Sequence, residues 1–322
     1  MGTLLVLAGV GCASSAGGDR PAHATRLTRS FFVNPDGQAA QQVREWIAEG
    51  RQSEAQTMRR IASQPIATWF TGASDVRAQV AALTRHASAS GQSALLVAYD
   101  IPGRDCGNYS AGGATSASAY RSWISQFAAG IEDRYATVIL EPDAVPQMLS
   151  HCLSAAAVSE REKLLRFASG TLEARANVTV YLDAGNPGWI NPPSALLGPL
   201  RRAGIGRVDG FSLNVSNFYT NTETINYGER LAHALGGGAG AHFVIDTGRN
   251  GNGPDRSGHD GPAWCNPPGR ALGTRPTTST GVALLDAYLW IKPPGTSDGS
   301  CRPGEPRAGQ WWPQYALGLI NG

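Results

Sequence analysis

The sequence has few charged residues and almost no lysine. Asp, Glu, Lys and Arg make up 16% of 322 residues, against about 25% in typical soluble domains, and the formal net charge is only +2. This composition excludes a nucleic-acid binder that depends on a basic surface, and also an acidic disordered chain. Only Lys163 and Lys292 among the 27 basic residues are lysines. Such a bias is typical of a GC-rich genome, so the arginines alone do not indicate a function.

Long hydrophobic runs are also absent. A membrane-spanning helix needs roughly 20 apolar residues, and no run reaches that length. The apolar run 4–12 and the polar stretch after it resemble an export signal, although no Lys or Arg precedes the run. The alternative is an ordinary N-terminal strand. We expect residues 1–28 to be an export segment with a disordered N-terminus, Cys12 to be a candidate lipidation site, and the protein to be secreted or attached to the cell surface.

The sequence also lacks closely spaced pairs of cysteines. Without a C-x2-C pair a structural zinc site is not expected, and the six histidines show no metal-ligand spacing. Four cysteines remain beyond the export segment. Pairing them in sequence order would join Cys106 to Cys152 and Cys265 to Cys301, which would imply an oxidising compartment. Four buried free thiols are the alternative.

Short apolar runs alternate with amphipathic segments along the rest of the chain. Eight runs predict buried strands: 31–33, 66–70, 94–99, 137–141, 178–183, 210–213, 242–246 and 287–291. Five segments predict helices: 38–60 with a break near Gly50, 75–90, 116–135, 155–176 and 225–235. Six or seven strand–helix alternations predict an α/β fold, namely a distorted, TIM-like (β/α) barrel with about seven parallel strands. The length suits one domain, residues 29–322.

Carboxylates follow several of these strands. They are Asp100, Asp105, Glu141, Asp143, Asp183, Asp246 and Asp298. One carboxylate at a strand end is commonly a helix cap, but barrel enzymes carry their chemistry at this face. Clustered carboxylates raise one another's pKa, so that one can stay protonated as a general acid. Two chemistries fit: a metal held by oxygen ligands, and glycoside hydrolysis by an acid–base pair.

Aromatic residues favour the second chemistry. Four lie at or just after predicted strand ends: Trp69, Tyr99, Trp189 and Trp264. Exposed rings suit stacking against the apolar faces of sugars, whereas a metal site has no need of them. We expect three other tryptophans, Trp46, Trp123 and Trp290, to pack in the core.

From Phe31 to Leu319 the sequence resembles glycoside hydrolase family 6, the cellulases that cut β-1,4-glucan with inversion. Seven segments in the family's order carry the resemblance: YDIPGRDCGNYSAGG (99–113), ILEPDAV (139–145), YLDAGNPGW (181–189), NVSNF (214–218), VIDTGRNGNGP (244–254), WCNPPGRALG (264–273) and LWIKPPGTSDGSC (289–301). The family's two disulfides fall on the pairs given above. The resemblance implies that residues 29–322 form the catalytic domain. It also implies a substrate of β-1,4-glucan or cello-oligosaccharides and no need of a cofactor or metal. We expect a monomer and, from the composition, no binding of nucleic acid.

The resemblance also implies roles for individual residues. Asp143 corresponds to the general acid, and Asp105 to the carboxylate that keeps this acid protonated and helps to relay a proton from water. Asp298 corresponds to the proposed base, whose assignment in the family is disputed. Tyr99 corresponds to the ring that presses on the distorted sugar. The other substrate contacts are three stacking platforms, Trp69, Trp189 and Trp264, two hydroxyl-binding groups, Asp183 and Lys292, and Asn217.

Loop lengths favour an open cleft. Exo-acting members roof the site with long loops, but here 37 residues separate Asp105 from Asp143 and nine separate the last cysteine from the final tryptophan pair. Processive members carry an additional Trp three residues beyond Trp189, where this chain has Pro192. The resemblance therefore implies an inverting endo-β-1,4-glucanase. The alternatives are an exo-acting cellobiohydrolase of the same family, a non-catalytic glycan-binding protein and a metal-dependent carboxylate enzyme.

Three positions depart from the family's pattern. Thr296 stands where the family often has Glu, Asn186 where it often has His, and Ala111 where it often has Ser. These departures leave the reaction class intact but bear on rate and pH optimum. Thr296 is the best support for the non-catalytic alternative.

Overall fold

The computed structural model describes residues 27, 29–236, 241–258 and 261–322. The predicted export segment and Cys12 lie outside the described residues. Within the described part of the chain, no helix combines the length and the apolar character needed to cross a membrane.

Seven parallel strands form one sheet in chain order. They are β1 (Thr68–Phe70), β2 (Ala94–Ala98), β3 (Ala136–Leu140), β4 (Val178–Asp183), β5 (Gly210–Leu213), β6 (His242–Asp246) and β7 (Leu285–Leu289). A parallel bridge joins Ile66 to Trp290, so the sheet curls until the two ends of the strand order approach each other. The predicted distorted barrel with about seven parallel strands is confirmed.

Nine α-helices lie among the described residues. They are α1 (Gln38–Ala48), α2 (Gln52–Ala62), α3 (Val76–Ala89), α4 (Ala117–Ile131), α5 (Ala144–Gln147), α6 (Ala155–Glu173), α7 (Leu197–Ala203), α8 (Asn221–Leu235) and α9 (Pro313–Asn321). The predicted break near Gly50 separates α1 from α2, and Gly50 has a positive φ of 78° that suits glycine. Side-chain oxygens cap α4 at Ser116, α6 at Ser154 and α8 at Thr220.

The predicted strand at 31–33 is wrong. Phe31 forms only a single bridge to Ser93, because the chain turns at 34–37 and enters α1. Helices α5, α7 and α9 were not predicted, since they span only four, seven and nine residues and are too short to show a helical period.

The core has two main layers on opposite faces of the sheet. Residues of β2 alternate between them: Leu96 packs with the helices, whereas Leu95 and Val97 pack inside the curled sheet. The interior cluster contains strand and strand-flanking residues but no helical ones. A third cluster joins α1, α2 and α9 and holds Trp46 and Trp290, while Trp123 lies in the helix-facing layer. The prediction that these three tryptophans belong to the core is confirmed.

Candidate active site

A cavity of about 570 Å³ opens at the carboxyl ends of the strands. We call it the catalytic cavity. Nine of the ten predicted catalytic and substrate-binding residues line it: Trp69, Tyr99, Asp105, Asp143, Trp189, Asn217, Trp264, Lys292 and Asp298. The tenth, Asp183, is fully buried and is not part of the cavity wall.

Asp183 lies behind Asp143. Asp143 follows β3 and has a left-handed backbone, with φ of 70°. Its backbone N–H donates to Asp183 Oδ1 at 2.9 Å, and the Asp183 carboxylate also accepts from Gly185 N and Ser212 Oγ. The structure therefore gives Asp183 a supporting position behind Asp143 rather than a place among the hydroxyl-binding groups of the wall.

The surroundings of Asp143 favour its protonated form. Burial raises its pKa well above the ordinary value, and the carboxylates of Asp183 and Asp105 raise it further. The positive charges of Lys292 and Arg161 oppose this shift without cancelling it. Asp143 is therefore suited to donate a proton near neutral pH.

Asp105 begins a short 3-10 turn, Asp105–Gly107, and has a positive φ of 57°. Burial raises its pKa, although Oδ2 accepts a 2.7 Å hydrogen bond from Ser110 N. Arg104 holds this loop, because it donates to the carbonyl oxygens of Tyr99 and Ser110 and lies over the Tyr99 ring. Non-glycine residues with positive φ are uncommon, and Asp105, Asp143 and Glu141 place three of them around one site.

Asp298 has a different environment. Its carboxylate forms ion pairs with Arg249 Nη1 at 2.7 Å and Lys292 Nζ at 3.4 Å, and it accepts from Asn266 N at 3.0 Å. Burial opposes its ionisation, but Arg249 and Lys292 outweigh burial and lower its pKa below the ordinary value. Asp298 is thus an ionised carboxylate held between two cations, which makes it a weak proton acceptor.

Sequence reasoning missed Arg249. It follows β6 within the VIDTGRNGNGP segment, and its side chain is only 1% exposed. Besides its pair with Asp298 it donates to the Ser216 carbonyl oxygen and lies over the Phe218 ring. An arginine three residues after a strand end was the only signal in the sequence.

Two further strand-end carboxylates, Glu141 and Asp246, brace neighbouring loops. Glu141 accepts from the N–H groups of Asp100 and Ile101, which follow β2. Asp246 accepts from the N–H groups of Ile291 and Lys292, which follow β7. Beyond the last strand pairing these N–H groups need a new acceptor, and a strand-end carboxylate supplies it.

Arg161 of α6 links the loops of Asp105 and Asp143, and sequence reasoning missed it as well. Its Nη1 donates to Gln147 Oε1 at 2.9 Å, and its Nη2 donates to two carbonyl oxygens just before the Asp105 turn at 2.9 and 3.1 Å. The side chain is buried, which lowers the pKa of Arg161, and no carboxylate among the described residues forms an ion pair with it. Its charge therefore acts on the nearby carbonyls, on Glu141 and on Asp143.

Two disulfides hold the same loops. Cys106–Cys152 joins the Asp105 turn to the segment after α5, and Cys265–Cys301 joins the loop that follows Trp264 to the loop of Asp298. Both predicted pairs are confirmed, and the free-thiol alternative is wrong.

Aromatic rings line the cavity in fixed orientations. The indole N–H of Trp69 donates to the Ile291 carbonyl oxygen at 2.8 Å, and its ring meets Tyr99 edge to face with 5.2 Å between centroids. The Trp189 indole donates to Ser150 Oγ at 3.0 Å. Trp264 is 42% exposed, so its ring is open to a ligand. Such rings fit a carbohydrate better than a bare ion.

Cleft-facing carboxylates among aromatic platforms, at the carboxyl face of a parallel barrel, define a carbohydrate-active hydrolase. The family model described as Glycosyl hydrolases family 6 matches residues 27–322, and the chain belongs to that family.

Relatives and solved structures agree with this assignment. Endoglucanase 1 of Streptomyces halstedii is 41% identical over 312 residues, which cover 94% of this chain and 92% of the relative. Endoglucanase A of Thermobispora bispora is 41% identical over 87% of this chain, which spans only 59% of that longer relative. The endoglucanase Cel6 of Mycobacterium tuberculosis, solved with methyl-cellobiosyl-4-deoxy-4-thio-β-D-cellobioside, is 42% identical with a TM-score of 0.84, covering 91% of this chain and 97% of that one.

Proposed function

We propose that this protein is an inverting endo-1,4-β-glucanase that hydrolyses internal bonds of cellulose or related β-glucans. The observation that carries the proposal is the position of Asp143, whose pKa is raised by burial and by the Asp183 and Asp105 carboxylates and which faces a cavity lined by five aromatic rings. Relatives that are 40–41% identical to this chain are named endoglucanases, which supports the same activity.

In the proposed reaction the glucan chain lies along Trp69, Tyr99, Trp189 and Trp264. Asp143 donates its proton to the leaving oxygen while a water attacks the anomeric carbon from the opposite face of the sugar. Tyr99 presses the reacting sugar toward the flattened geometry of the transition state.

The water must lose a proton as it attacks. Asp298 is the predicted base, but its two cations lower its pKa and weaken it in that role. Burial raises the pKa of Asp105, which makes Asp105 the better acceptor. We therefore propose that the proton passes to Asp105 through water, and that Asp298 holds Lys292 at the cavity wall, with Arg249 buried behind it. Return of this proton to Asp143 restores the enzyme.

The proposal places the protein outside the cytoplasm, because disulfides persist in oxidising compartments and two are present here. Cello-oligosaccharides are the proposed small substrates, as supported by the ligand of the Mycobacterium tuberculosis structure. The lipid anchor at Cys12 and the monomeric state stay predictions.

Hydrolysis of carboxymethylcellulose tests the proposal when viscosity and reducing ends are followed together. Internal cutting predicts a steep fall in viscosity for few new ends. Reducing ends without viscosity loss would favour the exo-acting alternative. Binding without any hydrolysis would favour the non-catalytic alternative. The same assay with EDTA tests the metal-dependent alternative, and we expect no change in rate.

A further inference from the structure

Asn266 holds Asp298 at two points. The backbone N–H of Asn266 donates to Asp298 Oδ2 at 3.0 Å, and Asn266 Oδ1 accepts from the backbone N–H of Asp298 at 2.7 Å. Asn266 is only 4% exposed and does not line the catalytic cavity. This pair of hydrogen bonds therefore fixes both the carboxylate of Asp298 and the backbone that carries it, from outside the space in which a substrate lies.

The two carboxylate oxygens of Asp298 have different partners. Oδ2 accepts from Asn266 N and from Arg249 Nη1, whereas Oδ1 lies 3.4 Å from Lys292 Nζ. The same Nζ donates to the Ser297 carbonyl oxygen at 3.1 Å. Both partners of the Lys292 ammonium group thus belong to the segment that Asn266 holds. Because Lys292 lines the catalytic cavity, the position of this cation depends on Asn266.

Glu305 determines which way the Asn266 amide faces. Glu305 Oε2 accepts from Asn266 Nδ2 at 3.1 Å, and it also accepts from the two backbone N–H groups of residues 301–302, each at 3.1 Å. The Gly299 carbonyl oxygen accepts from the same Nδ2 at 2.8 Å. A carboxylate and a carbonyl oxygen can only accept hydrogen bonds, so both require the NH2 end of the amide. The amide oxygen is therefore left to face the Asp298 N–H.

The Cys265–Cys301 disulfide joins the same two loops but does not orient the amide. It links the residue before Asn266 to the third residue after Asp298. Asn266 has a left-handed backbone, with φ of 43°, which asparagine and aspartate adopt more readily than most other residues. Replacement of Asn266 by Asp should therefore preserve the disulfide and the backbone while it changes the hydrogen bonds of the amide.

We propose that Asn266, oriented by Glu305, is a positioning residue for hydrolysis, because it holds Asp298 and through Asp298 keeps the Lys292 ammonium group at the cavity wall. This inference rests on the proposed glucanase activity. Asn266 and Glu305 do not line the cavity in which the glucan chain lies. Changes at these two residues should therefore alter turnover rather than substrate binding.

Two substitutions that act on one hydrogen bond test this proposal. Asn266→Asp keeps an oxygen for the Asp298 N–H but sets a second carboxylate beside Glu305 and the Gly299 carbonyl oxygen. Their repulsion should displace Asp298, so kcat on carboxymethylcellulose should fall by about tenfold or more while KM changes less than about twofold.

The double variant provides the rescue. Glu305→Gln, added to Asn266→Asp, supplies an NH2 group that can donate to the new carboxylate and an oxygen that can still accept from the backbone N–H groups of 301–302. The double variant should therefore recover kcat by at least about threefold over Asn266→Asp alone. All variants are compared at a temperature at which circular dichroism shows them folded.

Matched controls change an asparagine and a glutamate with similar contacts elsewhere. Asn177, which directly precedes β4, donates through Nδ2 to the Asp133 carbonyl oxygen at 2.7 Å. Glu162 of α6 pairs with Arg202 at 2.6 Å. Neither residue lines the catalytic cavity. Asn177→Asp and Glu162→Gln should therefore keep the wild-type kcat.

Each result decides for or against the proposal. If Asn266→Asp does not fold, Asn266→Gly replaces it, because glycine suits the left-handed backbone and removes the amide. That variant should lose as much kcat, and adding Glu305→Gln should lower kcat no further, since Glu305 acts through Asn266. An unchanged kcat, a loss confined to KM, or a double variant no better than Asn266→Asp would overturn the proposal. A wild type that does not hydrolyse carboxymethylcellulose would overturn the glucanase activity itself.

Discussion

The carboxylate of Asp183 accepts a 2.9 Å hydrogen bond from the backbone N–H of Asp143. This contact fixes the left-handed turn on which Asp143 stands and places a second negative charge behind it. That charge adds to the effect of burial, which raises the pKa of Asp143. Asp183 thus fixes the position of the proposed acid and adds to the rise in its pKa.

Removal of the Asp183 charge should move the alkaline limb of the activity profile. Because the Asp183 carboxylate raises the pKa of Asp143, Asp183→Asn should lower that pKa, and activity should fall at a pH lower by about 1 unit. The measurement is kcat/KM against pH. Asp209, a buried carboxylate at the opposite end of the strands, provides the control, and Asp209→Asn should leave the limb in place. An unmoved limb in Asp183→Asn would contradict this coupling.

Removal of the Arg161 charge should move the alkaline limb of the activity profile in the opposite direction. Its positive charge lowers the pKa of Asp143, so Arg161→Met should move the alkaline limb upward. Because Arg161 also ties together the two carboxylate loops, kcat should drop by roughly tenfold or more with a smaller change in KM. Arg161→Lys keeps the positive charge and should return the alkaline limb part of the way to its wild-type position. Arg166→Met, on the exposed side of α6, should behave as wild type. A downward shift of the limb would refute this role.

Stability should fall as pH rises from about 4 to 7. Burial raises the pKa of Asp100 and Asp183 to about 6 and that of Glu141 to about 7. Across this window the folded state binds more protons than the unfolded state, so the free energy of unfolding decreases with pH. The lowered pKa of Asp298 acts in the opposite direction only at more acidic pH. Urea unfolding at pH 5 and pH 7.5 should give the higher value at pH 5, and the reverse order would contradict these shifts.

Loss of either disulfide should destabilise the protein. The bonds close loops with sequence separations of 46 and 36, and each such bond typically contributes ~2–4 kcal/mol. Double Cys→Ser variants at each pair should therefore lower the free energy of unfolding by that amount. Because Cys106 adjoins Asp105, the first pair should also lower kcat at temperatures where the variant remains folded. Four titratable thiols in the native protein would exclude both bonds.

Much of the architecture follows from local sequence patterns. Strands buried on both faces appear as short apolar runs, which is why the barrel was predicted with nearly correct strand positions. The run 31–33 has the same composition as a strand. It does not form a strand because the turn at 34–37 leaves room for only one bridge. The composition of the run gives no sign of this turn.

The site was predictable only where residue type fixes the role. Aromatic rings near strand ends were predicted to lie at the site, and Trp69, Trp189 and Trp264 do line the cavity. Their role in stacking against sugars stays a prediction. The roles of the carboxylates were harder to assign, because Asp143 and Asp183 both simply follow a strand in the sequence. In the structure Asp143 faces the cavity, whereas Asp183 accepts hydrogen bonds from backbone N–H groups. Arg249 and Arg161 were missed because their effect depends on contacts with segments far away in the chain. Thr296 lines a neighbouring cavity of about 710 Å³, whereas Asp143 lines the catalytic cavity.

The most direct test of the account compares two substrates in Asp143→Asn. Carboxymethylcellulose needs a proton on its leaving oxygen, whereas 2,4-dinitrophenyl β-cellobioside releases a stable anion without one. We predict a loss of roughly 100-fold or more on the polysaccharide, a much smaller loss on the aryl glycoside, and an unchanged circular dichroism spectrum. Retention of more than about a tenth of the polysaccharide activity, or an equal loss on both substrates, would contradict the assignment of Asp143 as the general acid.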